Sequence, residues 1–468
     1  MSRFADFLMQ LFRPSKYYFR KLRTELQFLE QRLDERLALI GNDGAVFSQA
    51  SMREAGFSHG RIAVVAPLPP AQTGIAYATL NSFAPWSKGV DFFGVFSTAA
   101  ELNLAQYHRA LAGTSHRVFH VDFLPEAIAR LNYDAVIFAF GNSAHNVRVV
   151  SWLLRMRELA ERPAVIAYVH DPVVLNVLRK TSVAMGHSFD ELFRRSYDRG
   201  ALASFRKSAT ASLVAQGVTG LRALRRESGV DAIVVNSLAA KALLLADDPH
   251  LDEDQVGVLF HPVFATSPAP RRAKNAAESL RVGCFGVLSS DKQPGLVLAA
   301  VRLLRERGVD ARLVIAGYEI NGFVAANDLE ALDFVDLYQN PGDNELVELM
   351  GSVDVAVQLR GHNTGETSGA VSMLIGVGTP TIVSRIGAFE EFADAVAFVP
   401  PGCPPKTLAD AIVAARADAA GFKERMSAFA AQRTPWRFCS ELARFIGPLT
   451  AAQDVVPKVA VGRGERRT

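Results

Sequence analysis

Short apolar runs alternate with stretches of helical periodicity through most of this 468-residue chain, and the alternation restarts once. The first series of strand-like runs is Ile62–Pro67, Asp91–Phe96, Ala135–Phe140, Val165–His170 and Ala232–Asn236. Strands spaced by amphipathic helices build βαβ units, so the pattern predicts a mostly parallel, doubly wound sheet. A polar, Pro-containing break, Ser267-Pro-Ala-Pro-Arg-Arg-Ala-Lys, ends that series. The second begins at Leu280: strand Arg281–Phe285, helix Gly295–Arg307, strands Arg312–Ala316 and Val335–Tyr338, helix Asn344–Gly351 and strand Val353–Leu359. A short helix then stops at Gly378-Thr379-Pro380 and strand Thr381–Ser384 follows. The expected fold is α/β, with two Rossmann-like domains at 60–265 and 278–434 facing a cleft across a hinge near Ser267. Ligands of such sheets bind outside the carboxyl ends of the strands, so both sets of strand ends should line the cleft.

The flanks read differently. Phe4, Phe7, Leu8, Leu11 and Phe12 fall at helical spacing ahead of Arg13, Lys16, Arg20, Lys21 and Arg23. Such a segment suits an interfacial helix on anionic lipid, or a helix packed on the body or on a second subunit. Leu22, Leu26, Leu29, Leu33 and Ile40 continue at near-heptad spacing, short of the length that defines a coiled coil. Residues 1–45 are therefore expected as a helical extension for membrane contact or self-association, and Gly41–His59 as a linker. A helix around Trp436–Ile446, within residues 435–450, should close the fold toward the first domain, and residues 455–468 read as a disordered basic tail.

Composition narrows the function. Against 51 basic and 48 acidic residues, a net charge of +3 gives no basis for nucleic-acid binding. The three cysteines, Cys284, Cys403 and Cys439, suit reduced thiols rather than a disulfide framework or zinc site. The ten histidines form no ligand pattern, so neither a metal nor a cofactor is expected. The chain shows no long uncharged apolar run and no export signal, so a cytoplasmic protein, at most peripheral at the inner face of a membrane, is expected.

The chemistry concentrates in Gly361–Glu391. A strand feeding the amino end of a helix offers free backbone N–H groups and a favourable dipole to phosphate. Thr367 and Ser368 add hydroxyls, Gly369 permits close approach, and Glu366 is placed to accept hydrogen bonds from neutral hydroxyls. Amide donors for phosphate beside a carboxylate for hydroxyls fit a nucleotide-sugar. On the first domain, Thr73 and Gly74 lie where the first strand meets its helix, and Asn142 and His145 follow strand Ala135–Phe140. Gly74 leaves room for the donor's diphosphate to approach the backbone, and Thr73, Asn142 and His145 could face an acceptor. His170 ends an apolar strand and should project at the cleft floor; Asp171, before Pro172, reads as a helix N-cap.

Six pieces in order resemble the GT-B glycosyltransferases of retaining family 4, bacterial surface-polysaccharide type, across about residues 60–450. They are Pro67-Leu68-Pro69-Pro70 with Thr73-Gly74-Ile75-Ala76, Gly141-Asn142-Ser143 with His145, Val169-His170-Asp171, Phe285-Gly286 through Lys292, Gly365-Glu366-Thr367-Ser368-Gly369, and Gly378-Thr379-Pro380 with Glu391. The resemblance implies metal-independent transfer of a sugar from a nucleotide-diphosphate donor to a glycan or lipid-linked acceptor hydroxyl, with retained configuration. It implies that Lys292 neutralises the leaving diphosphate, Glu366 holds sugar hydroxyls and His170 meets the reacting end. Two positions depart from the family pattern. Val287 stands where an arginine often follows the phosphate-loop glycine, which would leave Arg360 or Arg385 to supply the second cation. Met373 stands where a glutamate usually holds the ribose, so Glu391, near the start of a late helix, reads as a ribose binder ahead of a helix-dipole partner. A sugar-nucleotide 2-epimerase and a non-catalytic scaffold in envelope assembly are the competing readings.

Overall fold

The computed structural model describes residues 60–69, 71, 73–96, 115–159, 162–206, 210–264, 279–318 and 320–454. The expected amino-terminal extension, the hinge near Ser267 and the tail at 455–468 lie outside the described residues. Two all-parallel sheets organise the rest, one seven-stranded and one six-stranded.

The first sheet comprises β1 (Ile62–Ala66), β2 (Val90–Gly94), β3 (Arg117–His120), β4 (Ala135–Phe140), β5 (Ala164–Val169), β6 (Ala232–Val235) and β7 (Val256–Val258), in the order β3-β2-β1-β4-β5-β6-β7. Its central strands are buried along their whole length, as strands covered by helices on both faces must be. The pleat divides their side chains between two cores. Ala63 and Val65 join Phe93, Val149 and Leu178 on one face, while Ile62, Val64 and Ala66 join Phe83, Phe92 and Phe438 on the other. The second sheet comprises β8 (Leu280–Phe285), β9 (Ala311–Gly317), β10 (Val335–Gln339), β11 (Val355–Gln358), β12 (Thr381–Ser384) and β13 (Ala397–Val399), in the order β10-β9-β8-β11-β12-β13. Here Val282, Leu313 and Val355 face one core, and Phe285, Val314 and Ala356 the other.

Both strand orders reverse direction once, between β1 and β4 and between β8 and β11. At such switch points adjacent connections leave to opposite faces and open a crevice. The functional site is built on these two crevices.

The final helix, Pro435–Asp454, returns to the first domain. Its Phe438 ring meets Phe83 edge-on at 5.4 Å and Tyr168 at 5.7 Å, and the Cys439 thiol donates to the Ser82 carbonyl at 3.2 Å. Among the described residues no helix is long and apolar enough to cross a membrane.

Candidate functional site

The second-domain half of the site grows from the ends of β8 and β11. After β8, Gly286 adopts φ +94, which only glycine takes without strain. The turn brings the Lys292 ammonium back over it, so a Cβ at Gly286 would lie 3.3 Å from Nζ. After β11 comes Arg360, 5% exposed. Its amide donates to Ser384 Oγ at 3.0 Å, and its guanidinium stacks over Phe389 at 5.3 Å. Asp291 fastens the two loops together: its carbonyl and Oδ1 accept from Gly361 N at 2.8 and 3.1 Å, and Oδ1 pairs with the His362 ring at 2.8 Å. Arg360 Nε lies 3.7 Å from Asp291 Oδ2, and Nη2 lies 3.7 Å from Glu366 Oε2. Lys292 and Arg360 thus flank the switch point of the second sheet. Burial, and then the Arg360 charge, bring the Lys292 ammonium down to a pKa of about 8, against the opposing pull of Glu366.

Ser368 closes this half as the N-cap of helix Gly369–Val377, its Oγ accepting from Val371 N at 3.3 Å. The cap leaves the other first-turn amides available, and a Cβ placed on Gly369 meets nothing within 4 Å. Ser368 therefore fixes the helix start through a lone pair of its oxygen, which leaves its O–H free to donate.

The first-domain half comes from the ends of β1, β4 and β5. Thr73 caps helix Gly74–Phe83 by accepting from Ala76 N at 3.1 Å, and exposed Gly74 has open space at its Cβ position. A Cβ on Gly141, just after β4, would lie 3.0 Å from Ile75 Cδ1 and 3.5 Å from Asp171 Cβ, so the three loops meet. At the end of β5, His170 donates its amide to the Phe140 carbonyl at 2.9 Å, and its ring lies 4.2 Å from that of Tyr168. Burial, with nearby His261, holds the His170 imidazole down to about 3, against a weaker opposing effect of Asn236. It is neutral at physiological pH.

The halves touch. Ser237 Oγ donates to the Gly365 carbonyl at 2.9 Å, and Thr367 Oγ1 donates to the Asn236 carbonyl at 3.3 Å. Glu391 Oε1 accepts from Ala239 N at 3.2 Å, at the start of helix Leu238–Asp247. Gly365 makes the approach possible: at φ +72, an added Cβ would come within 2.8–3.0 Å of Pro172, Leu243 and Ala240. Gly365→Ala is expected to cost about 1–2 kcal/mol from the left-handed backbone alone. A lowered midpoint of thermal unfolding, with weaker protection of the 236–243 amides from hydrogen exchange, checks it.

The structure brings Lys292, Arg360 and Glu366 together, with Asp171 facing Glu366 from the other domain. Burial, followed by the Glu366 charge, raises the Asp171 carboxyl well above the usual carboxylate range. The sequence suggested an N-cap here. Instead the helix starts later, at Leu175, and Asp171 Oδ1 accepts from Val173 N at 3.1 Å in a local turn. Its position directly after a strand-end histidine was the overlooked signal. Three other residues serve structure. Asn142 Oδ1 accepts from Asn176 N and Val177 N at 2.9 and 3.0 Å, capping helix Leu175–Ala184 rather than facing an acceptor. Thr367 spends its hydroxyl on the domain contact described above. Glu391 places one oxygen at a helix start in the first domain, a helix-dipole arrangement, and its other oxygen is buried without a hydrogen-bond partner. His145 sits exposed on the rim, in a short turn at Ala144–Asn146. Arg385 stacks on Phe398 at 4.3 Å, so of the two arginines named as substitutes for Val287 it is Arg360 that reaches the lysine. Met373 packs against the apolar cluster of Phe285 and Leu374. Among the described residues no three His, Cys, Asp or Glu side chains are grouped to hold a metal ion.

No protein-family model matches this chain, and no curated protein matches it. Solved structures match in shape. HepE of Anabaena, determined with UDP and glucose and with UDP-glucose, superposes with a TM-score of 0.55 at 14% identity, covering 83% of this chain and 99% of its own. Sucrose-phosphate synthase of Thermosynechococcus elongatus gives 0.52 at 15% identity, covering 84% and 99%. A UDP-forming α,α-trehalose-phosphate synthase of Burkholderia xenovorans, in complex with glucose-6-phosphate, gives 0.52 at 11%, covering 83% and 100%. At these identities the likeness is one of fold. The two parallel sheets flanked by helices match the two Rossmann-like domains of these structures, the GT-B fold.

Proposed function

We propose that this chain is a glycosyltransferase of the retaining family 4 type. It moves a sugar from a nucleotide-diphosphate donor to a hydroxyl of a glycan or lipid-linked acceptor, in surface-polysaccharide or glycoconjugate synthesis in the cytoplasm. The supporting observation is that Lys292 and Arg360 converge at the second sheet's switch point, beside the capped start of helix Gly369–Val377.

A departing diphosphate develops negative charge, and a fixed cluster of cations and N–H dipoles stabilises that charge without reorganising. Lys292 and Arg360 supply the cations, so the reaction needs no metal ion. Glu366 accepts hydrogen bonds from the sugar, and His170, neutral, meets its reacting end from the opposite domain. The leaving phosphate takes the acceptor's proton, in keeping with the absence of an assigned general base. The contacts of Gly365 and Thr367 with Asn236 and Ser237 close the cleft and keep water from the donor.

A thermal-shift screen against UDP-, GDP- and dTDP-hexoses tests the reading. A ligand that binds only the native state adds about 2.7 kcal/mol at a hundred times its Kd. One donor class is expected to raise the midpoint, and that shift should vanish in Arg360→Ala. Absence of a shift with every donor would overturn the assignment. Sugar epimers formed without acceptor would reassign the chain as an epimerase, and binding without turnover as a scaffold.

A further inference from the structure

Two polar atoms at the base of the cleft are enclosed and without hydrogen-bond partners: Nε2 of His170 and Oδ1 of Asn236. Asn236 is 3% exposed at the end of β6, beside β5, which carries His170. Its amide cannot turn freely. Nδ2 donates to the Leu259 carbonyl at 2.8 Å and lies 2.7 Å from the Tyr168 hydroxyl. A backbone carbonyl only accepts, so the amide's nitrogen must point there and Oδ1 must point away. The Tyr168 ring that receives this amide is the ring that packs at 4.2 Å on His170. The amide also acts on the imidazole, favouring its protonated, cationic form against the larger effect of burial. The backbone of Asn236 meanwhile accepts from Thr367 of the donor loop.

We propose that Asn236 is a positioning residue that sets the tautomer of His170, holding the proton on Nε2 toward its Oδ1 and leaving Nδ1 as a lone-pair acceptor. A neutral imidazole has one donor and one acceptor nitrogen, and the hydrogen bond at one of them decides the other's role. Of the two, only Nε2 is enclosed without a partner. Nδ1 is thus the nitrogen that can accept a hydrogen bond from a donor-sugar hydroxyl. The inference rests on the proposed function for its catalytic meaning, and the tautomer itself does not depend on that function.

The test uses the full chain with 15N-labelled histidine, with the His170 ring signals assigned by their loss in His170→Gln. The expected spectrum shows the Nε2–H tautomer in the unmodified protein and a mixture in Asn236→Ala. Tyr168→Phe, which leaves the amide in place but frees one of its restraints, should give a smaller change and serves if the alanine variant fails to fold. For transfer, Asn236→Ala should lower kcat about tenfold, the equivalent of one neutral hydrogen bond, with donor KM changed much less. An unmodified protein in the Nδ1–H form, or an unchanged tautomer in both variants, overturns the assignment. An unmodified protein that shows the expected tautomer and its shift in Asn236→Ala, yet transfers no sugar from any donor, would instead count against the proposed reaction alone.

Discussion

Replacing Lys292 with Met should cut kcat/KM for sugar transfer by about 10²–10³-fold, the usual effect of removing one preorganised charge or dipole donor from a reacting anion. The same change should make the free protein more stable. Burial and the neighbouring Arg360 lower this ammonium from the ordinary lysine value of 10.5 to about 8. Between those values the unfolded chain binds more protons than the folded one, so stability rises with pH across that window and the penalty is fully present below pH 8. An uncharged methionine removes the penalty. Discounted for solvent screening, the gain at pH 7 is about 1–3 kcal/mol, a few degrees in Tm. Donor affinity of the unmodified protein should fall as pH rises through about 8, when the ammonium loses its proton. Calorimetric unfolding, and donor binding followed against pH, read these outcomes. A methionine variant that is less stable and fully active would remove Lys292 from the site.

Glu366→Gln should lower kcat by about 10²-fold while the fold survives, because the side chain is partly exposed and contributes little packing. The diagnostic lies in the pH dependence. The Glu366 charge raises both the Asp171 carboxyl and the Lys292 ammonium. Neutralising it should therefore bring both groups down, moving the acid and alkaline limbs of the pH–rate profile to lower pH together. Limbs that stay in place would separate Glu366 from the cluster. A change confined to donor KM would make it a binding residue only.

Much of this architecture could be read from the amino-acid order because fully buried strands leave a strong mark. Ala135–Phe140 and Thr381–Ser384 coincide with their apolar runs, since every residue in them is buried. The strands that escaped notice, Arg117–His120, Val256–Val258 and Ala397–Val399, form edges of their sheets; they are short or polar at their ends and need less apolar surface. In the site, Lys292 and Glu366 stood out because a strand end followed by glycine points toward a cleft. Asp171 and Asn236 did not, since their roles depend on the opposite domain or on an adjacent strand far away in sequence. The sequence weighed Glu391 as a ribose binder ahead of a dipole partner; its contact with Ala239 depends on the position of helix Leu238–Asp247, far away in sequence.

The return of helix Pro435–Asp454 also bears on how the molecule assembles during synthesis. Phe438, Cys439, Leu442 and Ile446 complete the core that begins at Ile62, and the thiol contact with Ser82 spans 357 residues. A nascent first domain therefore emerges with one face of its sheet only partly covered, by helix Gly74–Phe83, and must wait for the carboxyl-terminal helix to be made. Contacts of such long sequence separation form slowly. Until then the apolar surface awaiting Phe438, Leu442 and Ile446 is a natural client surface for chaperones, and a chain cut before Pro435 should aggregate through its first half, not its second.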